Sequence, residues 1–579
     1  MDTESLSQTH NLGRREFLTI AGGIAAAVIL EACSSSKITT LKSPETKVTA
    51  AVPSTSEVNT TDVALPPSAS AAPIMSTVNT EPMTVPLLTT TALPETTVAH
   101  EQLSEAFLLQ AAESLLKMHE DNQGGWRFKS EIQSSHYQTD RDVGAASVGM
   151  GLLSLAEQYP HDNRWLDAAT KTAIWLKAVS VEDGKGGRFW PDYADDDTSS
   201  EDVYTSFDDG ALGIGDFFWR LYEKTNDPDH KAVALASVEW TLSQAEKVAS
   251  GFRWKWNVNH IDPSYQMGMG LGIVGIVHTL TTYYERTYQS DPAVAIKCRQ
   301  YVEGAVDYIK SAQQALGNNS GDMRALPETG VIGKDGDTAM NAGYLSGAAG
   351  AAFMYLKLFQ LIKDQSYLGE ADKLFSWLDD ADTGPLVDNG DGTIAWKLML
   401  DKQSDDNPAL ATGMEEGAAG IGWVYLQAYE LTGTTRYLNS AKAAANWLLK
   451  VAIKDESGGM SWHEDESSQQ DGSTTQTNNI AHPNLNNGAA GIGMFLEDTY
   501  QVTKDPRYKA GAVGAMQWLS ATAVKNDQNI YWKDNDGGTP FMNDTSWHWG
   551  SGGIISFLLR MQGSHQDIPG EQNSLNKVV

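Results

Sequence analysis

Seven times between residues 144 and 559 the chain returns to a short apolar segment that begins with glycine. The segments are GAASVGMGLL at Gly144, GALGIGDFFW at Gly210, GIVGIVHTLT at Gly272, GAAGAAFMYL at Gly347, GAAGIGWVYL at Gly417, GAAGIGMFLE at Gly488 and GSGGIISFLL at Gly550. Successive starts lie 62 to 75 residues apart, which accommodates two helices, a loop and a short hairpin. A period of that kind means one repeating unit rather than several unrelated domains. Each segment is apolar nearly all round, the mark of a buried helix. Glycine costs about 1 kcal/mol in a helix interior, so its concentration in the first turn points to close approach by a neighbour.

The helices that precede these segments, such as RWLDAATKTAIWLKAV, RYLNSAKAAANWLLKVA and RYKAGAVGAMQWLSATA, carry one apolar stripe and one polar face, as an outer layer requires. From EQLSEAFLLQAAESLLKMH to WGSGGIISFLLRMQG the count is seven outer and seven inner helices with no half unit left over. An open solenoid would need polar capping repeats, and none is evident. The expected fold is therefore all-α: a closed (α/α)7 toroid over residues 101–565, with short β-hairpins at one face and a tail at 566–579. Two sets of tryptophans fit this scheme. Trp175, Trp240, Trp377, Trp447 and Trp518 fall near the ends of outer helices, whereas Trp126, Trp254, Trp396, Trp462 and Trp532 follow glycine-containing turns. The second set reads as hairpin core or, being amphipathic, as platforms for sugar faces.

Residues 1–33 hold Arg14 and Arg15, an apolar stretch from Phe17 to Leu30, and LEAC ending at Cys33. The apolar stretch is shorter than the roughly 20 residues a bilayer span needs, so it reads as an export signal. The paired arginines resemble a twin-arginine signal and LEAC resembles a lipobox. Cys33 is then the acylated first residue of the exported protein, or, since Glu31 departs from the usual small residue, the segment is a plain cleaved signal. Residues 34–100, rich in Ser, Thr and Pro, cannot bury a core and read as a disordered stalk. The expected location is the outer face of the cell membrane or the envelope, with a lipid anchor at Cys33.

A net charge of -32 repels a phosphate backbone, which sets nucleic acid aside as a partner. Cys33 and Cys298 are the only cysteines, too few for a disulfide framework or a multi-thiolate zinc cluster. DNGDGT from Asp388 and DNDGG from Asp534 have the oxygen density of calcium loops without their spacing, and read as solvated turns. PDYADDDTSSEDVY, from Pro191 to Tyr204, is an acidic loop placed to border a site or bind a cation. No phosphate loop, dinucleotide fingerprint or serine elbow is present.

The chemistry concentrates two residues before each leading glycine, where an inner helix begins and faces the axis. In order these residues are Asp142, Asp208, Gly270, Leu345, Glu415, Asn486 and His548. In a closed ring the seventh repeat adjoins the first, so Glu415, Asn486, His548, Asp142 and Asp208 make one polar arc. Gly270 and Leu345 make an apolar or open side. Asp and Asn are also good helix caps, which accounts for each residue singly. Clustering on one side suits general acid–base chemistry, because crowded carboxylates hold their protons at different pH values. Asp142, Asp208, Asp209 and Glu415 are the catalytic candidates. Glu416, Asn486, Asn487, His548 and Trp549 are the candidates for holding substrate.

The glycine-led helices and the repeat number resemble the lanthionine synthetase C family over about residues 101–565. That resemblance implies a seven-fold α/α toroid with a single zinc, which activates a peptide thiol. In the family the zinc is held by a cysteine two before the fifth leading glycine and by the Cys-His of a CHG in the sixth repeat. Here those positions are Glu415, Asn486 and Asn487, a poor zinc set, so no metal and no zinc-dependent cyclisation is expected. SFDDGALGIGDFFW also resembles the paired-aspartate segment of α/α-toroid mannan-degrading hydrolases. The expected function is zinc-independent action on an extracytoplasmic glycan. The alternatives are a module that binds a peptide or saccharide without catalysis, and a peptide-modifying enzyme with altered chemistry.

Overall fold

A computed structural model describes residues 105–129, 136–260, 265–315, 325–327, 340–400, 409–466, 480–526, 529–536, 539–542 and 545–562. The export signal, the stalk and the tail lie outside them. Fourteen helices occur among the described residues. The outer ones are α1 (Glu105–Lys117), α3 (Asn163–Val179), α5 (Pro228–Ser243), α7 (Pro292–Ala315), α9 (Gln365–Leu378), α11 (Thr435–Val451) and α13 (Pro506–Thr522). The inner ones are α2 (Ala145–Gln158), α4 (Ala211–Thr225), α6 (Ile273–Thr287), α8 (Ala348–Ile362), α10 (Ala418–Thr432), α12 (Ala489–Thr503) and α14 (Ser551–Met561).

Each inner helix packs against the next, and α14 packs against both α2 and α1, which closes the ring. Two bonds fasten the closure from opposite ends of the chain: the Ile530 N–H donates to Ser114 Oγ (2.8 Å), and the Trp547 N–H donates to Ser147 Oγ (2.7 Å).

Short turns lead from inner to outer helices, and their chemistry is local. Asn226, Lys363, Gly433 and Lys504 end inner helices in the left-handed region, a common helix stop. The carboxylates of Asp227, Asp364 and Asp505 then cap the following outer helices by accepting from the backbone two residues on. Asp162 does the same for α3. Each such cap contributes about 1 kcal/mol.

Two-stranded hairpins follow the outer helices, as at Leu386–Asp388 with Ile394–Trp396 and Ile453–Lys454 with Met460–Ser461. They occupy the end of the ring where inner helices begin. Their tryptophans are structural: Trp190, Trp254, Trp396, Trp462 and Trp532 are buried. Each donates its indole N–H to a carbonyl in the last turn of the preceding outer helix, at 2.6–2.8 Å. The ring fills the hairpin core while the N–H bonds a carbonyl in the helix's last turn, where intrahelical partners run out. Trp254, Trp396, Trp462 and Trp532 are therefore not sugar platforms. Trp126 differs, stacking on His119 and donating to Asp121. Cys298 is buried in α7, and burial pushes its thiol up to about 12, an inert thiol.

The glycines of the inner helices answer to backbone packing. A Cβ on the fourth residue of the segment would lie 1.8–2.0 Å from the carbonyl oxygen six residues earlier, at Gly213, Gly275, Gly350, Gly420, Gly491 and Gly553 alike. The loop before each inner helix folds directly onto that glycine. The second glycine of GAAG thus presses the preceding loop against the helix, and that loop carries the candidate site.

Candidate functional site

The loops before the inner helices are strung together by backbone hydrogen bonds. Arg141 N–H donates to Asp208 O (2.9 Å), Asp208 to Gly270 (3.0 Å), Gly270 to Leu345 (3.1 Å), Leu345 to Glu415 (2.8 Å), Glu415 to Asn486 (3.0 Å) and Asn486 to His548 (3.2 Å). Six of the seven positions singled out by the repeat, joined to the first repeat through Arg141, are therefore strung along the N-terminal ends of the inner helices. Side chains complete the junction of repeats seven and one. Asp142 Oδ1 accepts from His548 Nδ1 at 3.0 Å and from Trp549 Nε1 at 3.0 Å, and Ser147 Oγ donates to Asp142 O (2.9 Å).

Capping of these loops falls to a different position, four residues before the leading glycine. Asp140 Oδ1 accepts from the N–H groups of Val143 and Gly144, and Asn484 Oδ1 from that of Asn487. Ser206 and Ser546 serve Asp209 and Trp549 in the same way. The cap bonds are thus made two residues upstream of the ring of candidate side chains.

Asp208 is buried, its side chain 5 % exposed, and Oδ1 accepts from Arg141 Nη1 at 2.8 Å. Burial raises its carboxyl above the ordinary 3.8 against the opposing pull of His548 and Arg141, and the negative charge of Asp142 adds to the rise. Asp208, Arg141, Asp142 and His548 thus share one electrostatic site. Gly270 leaves space beside Asp208, since a Cβ there would meet Oδ2 at 2.4 Å. Arg141 also lies over the Phe207 ring, 4.1 Å from its centroid.

Asp209 is buried at the next position. Glu415 is half-buried in the ring, and the Glu416 carboxylate sits against the Gly343 backbone, where a Cβ would meet Oε2 at 1.8 Å. Asn486 is buried and contributes its backbone to the ring. Asn487 Nδ2 donates to Glu464 Oε1 (2.8 Å), and Glu464 Oε2 faces the buried His482 Nε2 at 3.4 Å.

The acidic loop is occupied elsewhere. Asp195 accepts from His136 Nδ1 (2.6 Å), and Asp196 binds Arg127 (2.7 Å) and Asn122 (2.8 Å), so these carboxylates fasten the loop to the first repeat. DNGDGT is a hairpin turn in which Asp388 and Asp391 accept from backbone N–H groups within it.

Three residues of the site carry no advance signal of their role. Arg141 stands between two aspartates in TDRDV and reads as a solvated charge. Glu464 and His482 hold backbone positions that recur, since Thr412 N–H donates to Glu464 O as Thr139 N–H does to Asp192 O, and Ala489 N–H to His482 O as Ala145 N–H does to Gln138 O, but their side-chain types do not recur.

A closed seven-fold toroid whose inner-helix loops converge in one ring defines the class of protein. Residues 338–577 match the family described as lanthionine synthetase C-like protein. Among solved structures it is similar to nisin cyclase, with 13% identity and TM-score 0.46 over 79% of this chain and 93% of that one. It is also similar to a sugar epimerase from a ruminal bacterium (12% identity, TM-score 0.44, 80% and 99%) and to cellobiose 2-epimerase from Bacillus thermoamylovorans B4167 (12%, 0.44, 79% and 100%). No curated protein matches the sequence.

The zinc of the resembling family does not fit the residues present. Its three ligand positions hold one carboxylate and two carboxamides, and the Asn487 amide is already engaged by Glu464. Among the described residues no group of three His, Cys, Asp or Glu side chains is arranged to hold a metal ion.

Proposed function

We propose that the ring at the N-terminal ends of the inner helices is a zinc-independent acid–base site acting on a glycan. The observation that carries this reading is Asp208: a buried carboxyl whose proton is held more tightly than usual, with Asp142 and His548 in the same electrostatic site. A proton donor and a separate acceptor are what hydrolysis of a glycosidic bond needs. Glu415, Asn486 and Asn487 supply the neighbouring acceptors and donors that orient hydroxyl groups. The net charge of -32 disfavours polyanionic substrates.

Release of new reducing ends from a panel of neutral bacterial and plant polysaccharides tests the reading. At least one substrate should be cleaved, and Asp208→Asn should lower the rate by about 10²- to 10⁴-fold. An intact protein that binds saccharide without releasing reducing ends would instead be the non-catalytic module.

We further propose that the protein is exported and lipid-anchored through Cys33, supported by Arg14, Arg15 and the apolar stretch before LEAC. Labelled palmitate should enter the membrane-bound protein and be lost in Cys33→Ser. A Cys33→Ser protein that still carries label would remove this cysteine as the anchor.

A further inference from the structure

We propose that His548 is the general base of this site and that Asp142 is the residue that positions it. The assignment rests on the catalytic reading above and changes the division of labour within it. Asp142 Oδ1 accepts two hydrogen bonds, from His548 Nδ1 and Trp549 Nε1, each 3.0 Å long. A carboxylate can only accept, so the imidazole hydrogen resides on Nδ1 and the lone pair on Nε2. Among the described residues no protein group hydrogen-bonds Nε2, and the His548 side chain keeps 12 % of its exposure. The backbone on either side is fixed. His548 O accepts from Asn486 N–H, and the Trp549 N–H donates to Ser546 Oγ.

The base is assembled only by ring closure, since His548 comes from the seventh repeat and Asp142 from the first, 406 residues apart in the chain. Asp142 steadies the imidazolium, and Arg141 and Asp208 share its electrostatic site. In the step proposed, Nε2 takes a proton from an attacking water as its oxygen bonds to the anomeric carbon. The glycosidic C–O bond breaks, and the leaving oxygen takes the proton of Asp208. The imidazolium and the Asp208 carboxylate then return to their starting states by proton exchange through solvent, so that one water is consumed per bond.

The test uses the full-length chain and whichever polysaccharide of the panel the wild-type protein cleaves. His548→Ala should lose about 10²- to 10⁴-fold in kcat with KM changed less than threefold, and added imidazole should restore part of the rate. Asp142→Asn should lose about 10²- to 10⁴-fold with no imidazole rescue, because its histidine is present but wrongly held. Asp208→Asn should not respond to imidazole either. Should the alanine protein fail to fold, His548→Gln, which keeps an amide donor toward Asp142, carries the test. A histidine variant within threefold of wild type overturns the assignment and leaves the catalytic reading standing. So does a loss that appears in KM and is untouched by imidazole, which makes His548 a substrate contact. A folded wild-type protein inactive on the whole panel removes the catalytic reading and this assignment together.

Discussion

Gly420→Ala should destabilise the toroid by about 3 kcal/mol, the upper end of the usual cost of overpacking, whereas Gly369→Ala should stabilise it by about 1 kcal/mol. The substitution is the same and both glycines lie in helices, so helix propensity favours alanine at each. What differs is the neighbour. A Cβ at Gly420 would lie 1.9 Å from Met414 O and 3.2 Å from Tyr344 Cβ, while one at Gly369 meets nothing within 4 Å. Met414 belongs to the loop whose next residues are Glu415 and Glu416, and that loop is tied by Met414 N–H and Glu415 N–H to Asn486 O. The clash is with backbone, so relief requires moving the loop and stretching the ring of hydrogen bonds. Urea unfolding of the two variants against wild type measures both signs. Equal midpoints for Gly420→Ala and wild type would show that the loop yields without cost.

That contrast also shows what the sequence could disclose. The recurrence of glycine-led segments 62 to 75 residues apart made the inner helices, their close neighbours and the closed ring legible, because a backbone contact repeated in six of the seven segments leaves glycine at the fourth position each time. The ring positions were legible for the same reason. The role of each ring residue was not. The loop-capping task of Asp140, Ser206, Asn484 and Ser546 is shared among three residue types, so no single residue announces it. Glu464 and His482 stand at backbone positions that recur, but their residue types do not, so the pattern is silent on them. Whether Trp462 faces sugar or core depended on a partner, the carbonyl of Leu448, that only the folded hairpin brings near.

Asp216→Ala should cost about 3–5 kcal/mol, as expected when one member of a buried ion cluster is removed and its partners stay behind. Asp216 accepts from Arg286 Nη1 at 2.7 Å and Arg220 Nε at 3.2 Å, and all three side chains are largely buried. Arg220 carries much of the burial cost, its own pKa lowered by desolvation and by the neighbouring guanidiniums, so without Asp216 two cations would face each other. Asp216 lies in SFDDGALGIGDFFW, eight residues beyond Asp208, and the two carboxyls respond oppositely to burial. Asp208 has one arginine and the repulsion of Asp142, and rises. Asp216 is also desolvated, but Arg220, Arg286 and Arg141 outweigh that and lower it to about 2. A lowered carboxyl stabilises the fold above its unfolded pKa of about 4, and the contribution disappears as pH falls through the folded value. The shift corresponds to about 2 kcal/mol. The stability gap between wild type and Asp216→Asn should therefore be widest above pH 4 and narrow steadily toward pH 2. Asp208 and Asp498, whose carboxyls are raised, are present in both proteins and cancel from the difference. A gap that stays constant from pH 6 to 2 would mean that Asp216 contributes shape rather than charge. Asp208 and Asp216 are alike in sequence, and the arginines folded around each decide whose carboxyl is raised and whose is lowered.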